Sequence, residues 1–421
     1  MKKQVISSLL LVLLVVTTFT AIGSVAATSD DWSMFHHDSV HTGFSSTTPA
    51  TSNNLLWKLE TGAPMGASAA IVDRKIYVPS NDGIVYCLNA ADGSQVWTYT
   101  LPYPTAISSS IAIADGYAYF GSYDYNVYCL DASTGSKVWS FTTGNSVQSS
   151  PVVVDGYVYV GSWDGNIYCL DALTGGKVWN YTTGDLVDSS PAVTEGRVYV
   201  GSADKNVYCL DASTGSKIWN YATGNTIQSS PSVVDGYVYI GSQDNNLYCL
   251  KASTGEKVWS YSMQSWVDSS PAVANGYLYV GSGVSDNSDK NVYCLNALTG
   301  EKVWSYETYD GVYSSPAVVG GYVYVGGWDG NVYCLNASNG TNMWLYTTQD
   351  SISSSPAVSE GVVYITSWDH KLYALGALQS TNESAAGIDT WIIVLIALIV
   401  IAIAVIVFFR KRPKSNRAKR R

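Results

Sequence analysis

The chain has few charged residues, and outside its two ends it has very few basic ones. Only 13% of the 421 residues are charged. All 33 acidic residues lie between the two ends, whereas ten of the 23 basic residues belong to the ends. The intervening part therefore has 13 basic against 33 acidic residues, a net charge of −20. Such a field repels nucleic acid and anionic lipid and attracts cations or basic partners. We therefore expect no nucleic acid among the partners.

The N-terminus has no acidic residue among its first 27 positions. Lys2 and Lys3 precede an apolar run from Leu9 to Thr17, and the small residues 24–27 form a cleavage site. This order predicts a secretory signal peptide over residues 1–27. No cysteine lies near the cleavage site, which argues against a lipoprotein anchor.

The C-terminus contains a stretch without any charge. Trp391 to Phe409 is 19 uncharged residues, enough at about 1.5 Å per residue to cross roughly 30 Å of hydrocarbon. Eight basic residues follow, and such residues stay on the cytoplasmic side. We predict a polar stalk (378–389), one transmembrane helix (390–409) and a basic cytoplasmic tail (410–421). The protein would be a single-pass cell-membrane protein with its main part outside.

The seven cysteines recur at nearly fixed intervals in the tetrad Val-Tyr-Cys-Leu or a close variant. An eighth copy, Lys371–Ala374, has alanine instead. Equivalent positions in neighbouring repeats lie too far apart for a disulfide or a shared metal. We therefore expect reduced, buried thiols at Cys87, Cys129, Cys169, Cys209, Cys249, Cys294 and Cys334.

A period of about 40 residues built from short strands predicts stacked four-stranded units. Each cysteine is followed ten residues later by a tryptophan, but the eighth unit ends at Leu375 without one. A matching strand, residues 55–59, stands alone near the N-terminus and supplies Trp57. We infer that this strand completes the eighth sheet and closes a ring, because an open solenoid would leave it unexplained. The prediction is an all-β, eight-bladed β-propeller over residues 55–377, preceded by a lead-in segment (28–54). The equivalent tryptophans are Trp57, Trp97, Trp139, Trp179, Trp219, Trp259, Trp304 and Trp344.

Two segments resemble a known group of proteins. Leu130 to Trp139 and its copies resemble the Ala…Thr-Gly…Trp docking motif of propellers of the pyrroloquinoline-quinone (PQQ) type, and Asp31 to Gly43 resembles the lead-in of that group. The resemblance extends over residues 31–376. It implies that each tryptophan packs on the matching turn of the next blade. The group includes quinoprotein alcohol dehydrogenases, the propeller lipoprotein of the outer-membrane barrel assembly machinery, and many surface proteins of bacteria and archaea.

For the enzymes of the group, the resemblance implies an adjacent Cys-Cys pair over the quinone, and Ca²⁺ held by Glu, Asn and Asp. This chain has no adjacent cysteine pair, and its glutamates lie mainly in turns. The blades are also regular, whereas an enzyme usually breaks its repeat to install a site. We therefore expect a non-catalytic module without a cofactor. A quinone- or metal-dependent oxidoreductase remains the alternative.

One face of the ring is expected to bind the partner. It collects the loops before each first strand and between the second and third strands. Amide and carboxylate groups there suit a cation, a basic side chain or sugar hydroxyls, and exposed indoles suit sugar stacking or protein contact. The partner would be a protein or a glycan at the cell surface, so a glycan-binding envelope protein is a further alternative. A merely hydrated mouth and indoles that pack the loops would explain the same residues. The candidates are Gln148, Asp188, Gln228, Asp268, Trp163, Trp266, Trp328 and Trp368.

Three histidines, His36, His37 and His41, occur close together beside Asp38. Such a cluster could ligate zinc. The favoured interpretation is that this segment is strapped across one face of the ring, with a turn at its end.

Overall fold

A computed structural model describes residues 31–283 and 289–377. The predicted signal peptide, stalk, membrane anchor and basic tail fall outside these residues. Within them there is no helix long and apolar enough to span a bilayer.

The described residues form strands joined by turns. In chain order the strands are β1 (Phe44–Ser45), β2 (Asn54–Glu60), β3 (Ala70–Val72), β4 (Lys75–Pro79), β5 (Ile84–Asn89), β6 (Gln95–Thr100), β7 (Ala112–Ala114), β8 (Tyr117–Gly121), β9 (Asn126–Asp131), β10 (Lys137–Thr142), β11 (Val152–Val154), β12 (Tyr157–Gly161), β13 (Asn166–Asp171), β14 (Lys177–Thr182), β15 (Ala192–Thr194), β16 (Arg197–Gly201), β17 (Asn206–Asp211), β18 (Lys217–Ala222), β19 (Ser232–Val234), β20 (Tyr237–Gly241), β21 (Asn246–Lys251), β22 (Lys257–Ser262), β23 (Ala272–Ala274), β24 (Tyr277–Gly281), β25 (Asn291–Asn296), β26 (Lys302–Glu307), β27 (Ala317–Val319), β28 (Tyr322–Gly326), β29 (Asn331–Asn336), β30 (Asn342–Thr347), β31 (Ala357–Ser359), β32 (Val362–Ser367) and β33 (Lys371–Gly376).

These strands make eight antiparallel sheets, which confirms the eight-bladed propeller. Blades 1 to 7 each take four consecutive strands, from β3–β6 to β27–β30. Blade 8 has the order β2-β33-β32-β31, so its outer strand comes from the N-terminus. Trp57 pairs with Ala374 and Lys58 with Tyr373 in that sheet. The predicted closure of the ring by the N-terminal strand is therefore confirmed.

Burial along each blade follows its position in the stack. In blade 3, the residues of β12 and β13 are almost all buried, whereas β14 alternates between exposed and buried. Sheets packed on both faces need apolar residues on both sides of their middle strands. The outer strand carries a bulge beside Trp179, and a bulge at an exposed edge discourages pairing with another chain.

The tryptophans bind each blade to the next. Trp139 Nε1 donates to the carbonyl oxygen of Ala172 at 2.9 Å, and its ring lies against Gly175. A Cβ added at Gly175 would come within 2.6 Å of that ring, and its φ is +70°, so glycine is required. The other seven tryptophans donate in the same way to Ala90, Ala132, Ala212, Ala252, Ala297, Ala337 and, in the lead-in, Ala50.

In seven of the eight blades, one aspartate also joins neighbouring blades. In blade 3, Asp164 accepts hydrogen bonds from the hydroxyl of Tyr168 and the amide of Gly144, both at 2.6 Å. Gly144 belongs to the loop that follows blade 2. All eight equivalents accept the tyrosine hydroxyl of their own blade: Asp82, Asp124, Asp164, Asp204, Asp244, Asp289, Asp329 and Asp369.

A closed circle of serines surrounds the axis. The amide of Ser190 donates to the hydroxyl oxygen of Ser230 at 2.9 Å, and Ser230 donates in turn to Ser270. The circle continues through all eight blades until Ser355 donates to Ser68. Its members are Ser68, Ser110, Ser150, Ser190, Ser230, Ser270, Ser315 and Ser355.

The lead-in follows the inner edges of the blades. Trp32 pairs with Ile71 in blade 1, and Thr42 accepts the amide of Val273 in blade 6 at 2.8 Å. Strand β1 then pairs in parallel with β27 of blade 7 before the chain enters β2. These bonds satisfy amides that the innermost strands would otherwise leave open.

Candidate functional site

The axial channel opens at the face that carries the loops before the first strands. The cavity at this opening has a volume of about 190 Å³; we call it the funnel. The eight serines of the circle form its neck, and Phe35 of the lead-in lies at the cavity as well. One position of every blade lines the mouth above the serines: Gly66, Ser108, Gln148, Asp188, Gln228, Asp268, Tyr313 and Ser353.

The mouth residues are held by the loop of the preceding blade. Tyr123 donates its hydroxyl to Gln148 Oε1 at 2.8 Å, and Trp163 Nε1 donates to Asp188 Oδ1. Gln243 Nε2 donates to Asp268 Oδ2 at 3.3 Å. The structure thus brings Gln148, Asp188, Gln228 and Asp268 around one opening and attaches Trp163 to it.

The two mouth carboxylates are largely buried without a cation. Burial raises the pKa of Asp268 to about 6, and the negative charge of Asp188 adds to that shift. Burial also raises the pKa of Asp188, although the hydrogen bond from Trp163 partly opposes it. Neither carboxylate has an ion-pair partner among residues 31–283 and 289–377. Among the residues that the structure describes, no donor reaches the buried Oδ1 of Asp268.

Aromatic rings stand around the funnel. Trp328 stacks on Tyr313 with ring centroids 4.7 Å apart, and its buried Nε1 meets no acceptor within residues 31–283 and 289–377. Trp163 meets Tyr123 edge-on, with centroids 5.6 Å apart. The indole of Trp368 donates to Ser353 Oγ at 2.8 Å, and Trp368 is 42% exposed.

Trp266 differs from the other predicted tryptophans. It is 41% exposed and belongs to the loop before blade 6, two residues ahead of Asp268. Its backbone carbonyl accepts the amide of Gly283. Trp266 therefore belongs to the rim of the face rather than to the wall of the funnel.

Most acidic side chains near the funnel either repeat in every blade or bond within their own loop, but Asp188 and Asp268 do neither. Asp164 and its equivalents accept the tyrosine hydroxyl of their own blade, and Asp185 accepts the amide of Leu186 at 2.8 Å within its loop. The position of Asp188 and Asp268 is occupied by glycine, serine, glutamine or tyrosine in the other six blades. The repeat therefore needs no acid there, and these two carboxylates are not explained by folding.

The histidine segment is part of the lead-in. The rings of His36 and His41 are buried and face backbone carbonyls: His36 Nε2 lies 3.0 Å from Pro316 O, and His41 Nδ1 lies 3.1 Å from Pro231 O. His37 lies 3.4 Å from Asp38. No group of three or more histidine, cysteine, aspartate or glutamate side chains within the described ranges converges on a point that could hold a metal ion.

Three features of the site were not predicted from the sequence: the contact of Gln243 with Asp268, the position of Phe35 at the funnel, and the circle of serines. The serines had a visible signal, because a Ser-Ser pair precedes the first strand in seven of the repeats.

Ring closure, the tryptophan docking and the axial funnel define a β-propeller of the PQQ type. The chain belongs to the family described as outer membrane protein assembly factor BamB, whose model matches residues 46–148, 124–232, 224–312 and 288–383. Among proteins of curated function, no relative was found by sequence.

Several solved structures are similar. BamB from Moraxella catarrhalis has 24% sequence identity and a TM-score of 0.66; the match covers 77% of this chain and all of that one. A europium-containing methanol dehydrogenase has 15% identity and a TM-score of 0.72, covering 82% of this chain and 98% of the other. The quinohemoprotein alcohol dehydrogenase from Comamonas testosteroni has 14% identity and a TM-score of 0.72, and the match covers 85% of this chain and 82% of the other. At these identities the similarity shows the fold alone.

The residues at the funnel do not fit a quinone cofactor. The cavity of about 190 Å³ is below the roughly 300 Å³ at which small-molecule sites begin. The seven cysteines are free and buried within third strands, so none forms an adjacent pair at the mouth. Burial raises the pKa of Cys169 to about 12, which keeps that thiol protonated and unreactive.

Proposed function

We propose that the chain is a non-catalytic binding module whose protein partner docks on the funnel face. The observation that carries the proposal is the pair of largely buried carboxylates of Asp188 and Asp268, which have no ion-pair partner among the described residues. Charges of this kind reduce the stability of the folded state, and natural proteins retain them mainly where a functional site needs them. The family membership supports a protein-binding scaffold. The predicted signal peptide and the uncharged C-terminal segment of the sequence support a cell-membrane protein with its propeller outside.

The exposed large apolar residues of the two faces allow a matched test. Tyr103 and Tyr309 lie in loops of the funnel face and are 78% and 73% exposed. Leu173 and Leu298 lie in the opposite turns, between third and fourth strands, and are 68% and 63% exposed. A photoreactive amino acid placed at each position of the full chain should perturb folding equally little.

Photo-cross-linking in the source cells should then give a discrete protein adduct from positions 103 and 309. Positions 173 and 298 are the matched controls and should give none. Adducts only from the opposite face would refute docking at the funnel.

Glycan binding is a second candidate, supported by the half-exposed indoles of Trp266 and Trp368 at the rim of the same face. Exposed indoles stack on sugar rings. The purified chain would be applied to a glycan array beside its Trp266→Ala and Trp368→Ala variants. Retention of a glycan that both variants lose would favour this function over protein docking.

A further inference from the structure

The residues that line the funnel form a chemically suitable binding site for one positively charged group. Two carboxylates, Asp188 and Asp268, face the same small cavity, and two amides, Gln148 and Gln228, alternate with them around its mouth. Below them, each neck serine already accepts an amide proton from the neighbouring blade. Each hydroxyl retains a further lone pair for a guest. Hydrogen-bond acceptors are therefore present at both the mouth and the neck of the funnel.

The surrounding charges reinforce this preference. The described loops of the funnel face contain only two basic residues, Lys205 and Lys290, and Lys290 lies 3.5 Å from Glu307. Neither reaches Asp188 or Asp268 as an ion-pair partner. A cleft lined by one sign of charge concentrates its field at the opening and attracts ligands of opposite sign.

The size of the cavity restricts the guest. At about 190 Å³ it admits the end of a side chain rather than a multi-ring ligand. A bare calcium ion would require six to eight oxygen ligands, and among the described residues only two carboxylates, Asp188 and Asp268, line the funnel. The aromatic pair of Tyr313 and Trp328 beside the mouth adds a favourable environment for an organic cation.

We propose that the funnel seats the ammonium or guanidinium group of a lysine or arginine side chain that projects from the protein partner, held between Asp188 and Asp268. This inference rests on the proposed function, because it specifies what the docking partner inserts. The guest neutralises the buried charges and supplies hydrogen-bond donors, including one for Asp268 Oδ1. Partner recognition on this face then depends on charge at the funnel and on apolar contact around it.

The repeat itself supplies conservative variants for a test. Glutamine occupies the mouth position in blades 3 and 5, so the double variant Asp188→Gln/Asp268→Gln copies residues that this fold already accepts there. The control is Asp185→Asn, which removes a charge from the same face. Blade 3 has Asn145 at the equivalent position, where its side chain makes the same bond to the following amide, at 2.8 Å.

The probes are N-acetyl-arginine amide, N-acetyl-lysine amide and the neutral isostere N-acetyl-citrulline amide. Binding to the full chain would be followed by the indole Nε1–H resonances of Trp163 and Trp328. We expect at least one cation to shift these resonances and to bind at least tenfold more tightly than the citrulline compound. The double variant should lose at least tenfold in affinity, and Asp185→Asn should remain within twofold of the parent.

Equal binding of citrulline, or a double variant within twofold of the parent, would overturn the cation seat. Loss through unfolding is distinguishable, because removing buried unpaired charges should raise the denaturation midpoint of the double variant. The partner cross-links at positions 103 and 309 separate this inference from the proposed function. If those cross-links persist unchanged in the double variant, the partner docks on this face without inserting a cation, and only the inference fails.

Discussion

Asp268 gives a quantitative prediction, because its burial should make the parent protein less stable than a neutral variant. The pKa of this carboxyl is raised from 3.8 to about 6, a difference of about two units. Each unit corresponds to 1.36 kcal/mol between the two protonation states. Asp268→Gln should therefore increase the free energy of unfolding by about 3 kcal/mol at pH 8.

The pH dependence isolates the charge from other effects of the substitution. A raised pKa in the folded state means that the folded protein binds more protons than the unfolded chain between pH 4 and 6. The electrostatic penalty of Asp268 is thus fully present above pH 6 and disappears below about pH 4. The advantage of Asp268→Gln over the parent should shrink by about 3 kcal/mol between pH 8 and pH 3.5.

Urea denaturation followed by tryptophan fluorescence at both pH values measures this difference. The control Asp185→Asn removes one negative charge from an exposed residue of the same face. If Asp268→Gln is destabilising at pH 8, or if its advantage is independent of pH, the charge of this carboxylate does not destabilise the folded protein. The functional argument built on it would then fail too.

Three further predictions test the ring and its lead-in. Trp57→Ala should reduce the free energy that holds the closing strand β2 in place by about 3 kcal/mol, and amide hydrogen exchange in that strand should therefore become roughly 100-fold faster. The control Trp179→Ala, in a blade with no chain end, should show no such local opening. Ser230→Ala should lower the free energy of unfolding by about 1–3 kcal/mol in urea denaturation, because the buried amide of Ser190 loses its acceptor. Burial lowers the pKa of His36 to about 4 and of His41 to about 3, so the unfolded chain binds more protons below pH 6.5. Each histidine should therefore lower the free energy of unfolding by about 1.4 kcal/mol per pH unit as the pH falls from 6.5 to 4. His36→Gln should reduce the measured dependence of the free energy of unfolding on pH in that range.

The architecture was predictable because every blade repeats the same instructions. The cysteine tetrad marks each third strand, the tryptophan ten residues later marks each fourth strand, and the orphan strand around Trp57 indicates closure. These signals are local, since strand alternation and hairpin turns such as Asp155-Gly156, with φ values of 51° and 79°, depend on adjacent residues. Because the same pattern of strands and turns recurs in eight copies, the strand assignment is more certain than a single copy would allow.

The site was predictable only in part. The eight mouth positions could be grouped because they precede equivalent strands, and the ring brings them together. The contact between Gln243 and Asp268, in contrast, depends on how one blade is rotated against the next. The placement of Phe35 depends on the path of a lead-in that has almost no regular structure of its own. Neither is encoded in a periodic pattern, so neither could be derived from spacing.

The same repetition separates architectural residues from functional ones without any second sequence. Where all eight blades have the same residue making the same bond, as at Asp164 and its equivalents, folding explains it. Where the residue varies among blades and its largely buried charge has no ion-pair partner among the described residues, as at Asp188 and Asp268, folding does not explain it. The mouth is the one set of funnel positions at which glycine, serine, glutamine, aspartate and tyrosine all occur within the same ring. A propeller can therefore change its recognition there while the serine circle and the tryptophan docking keep the ring intact.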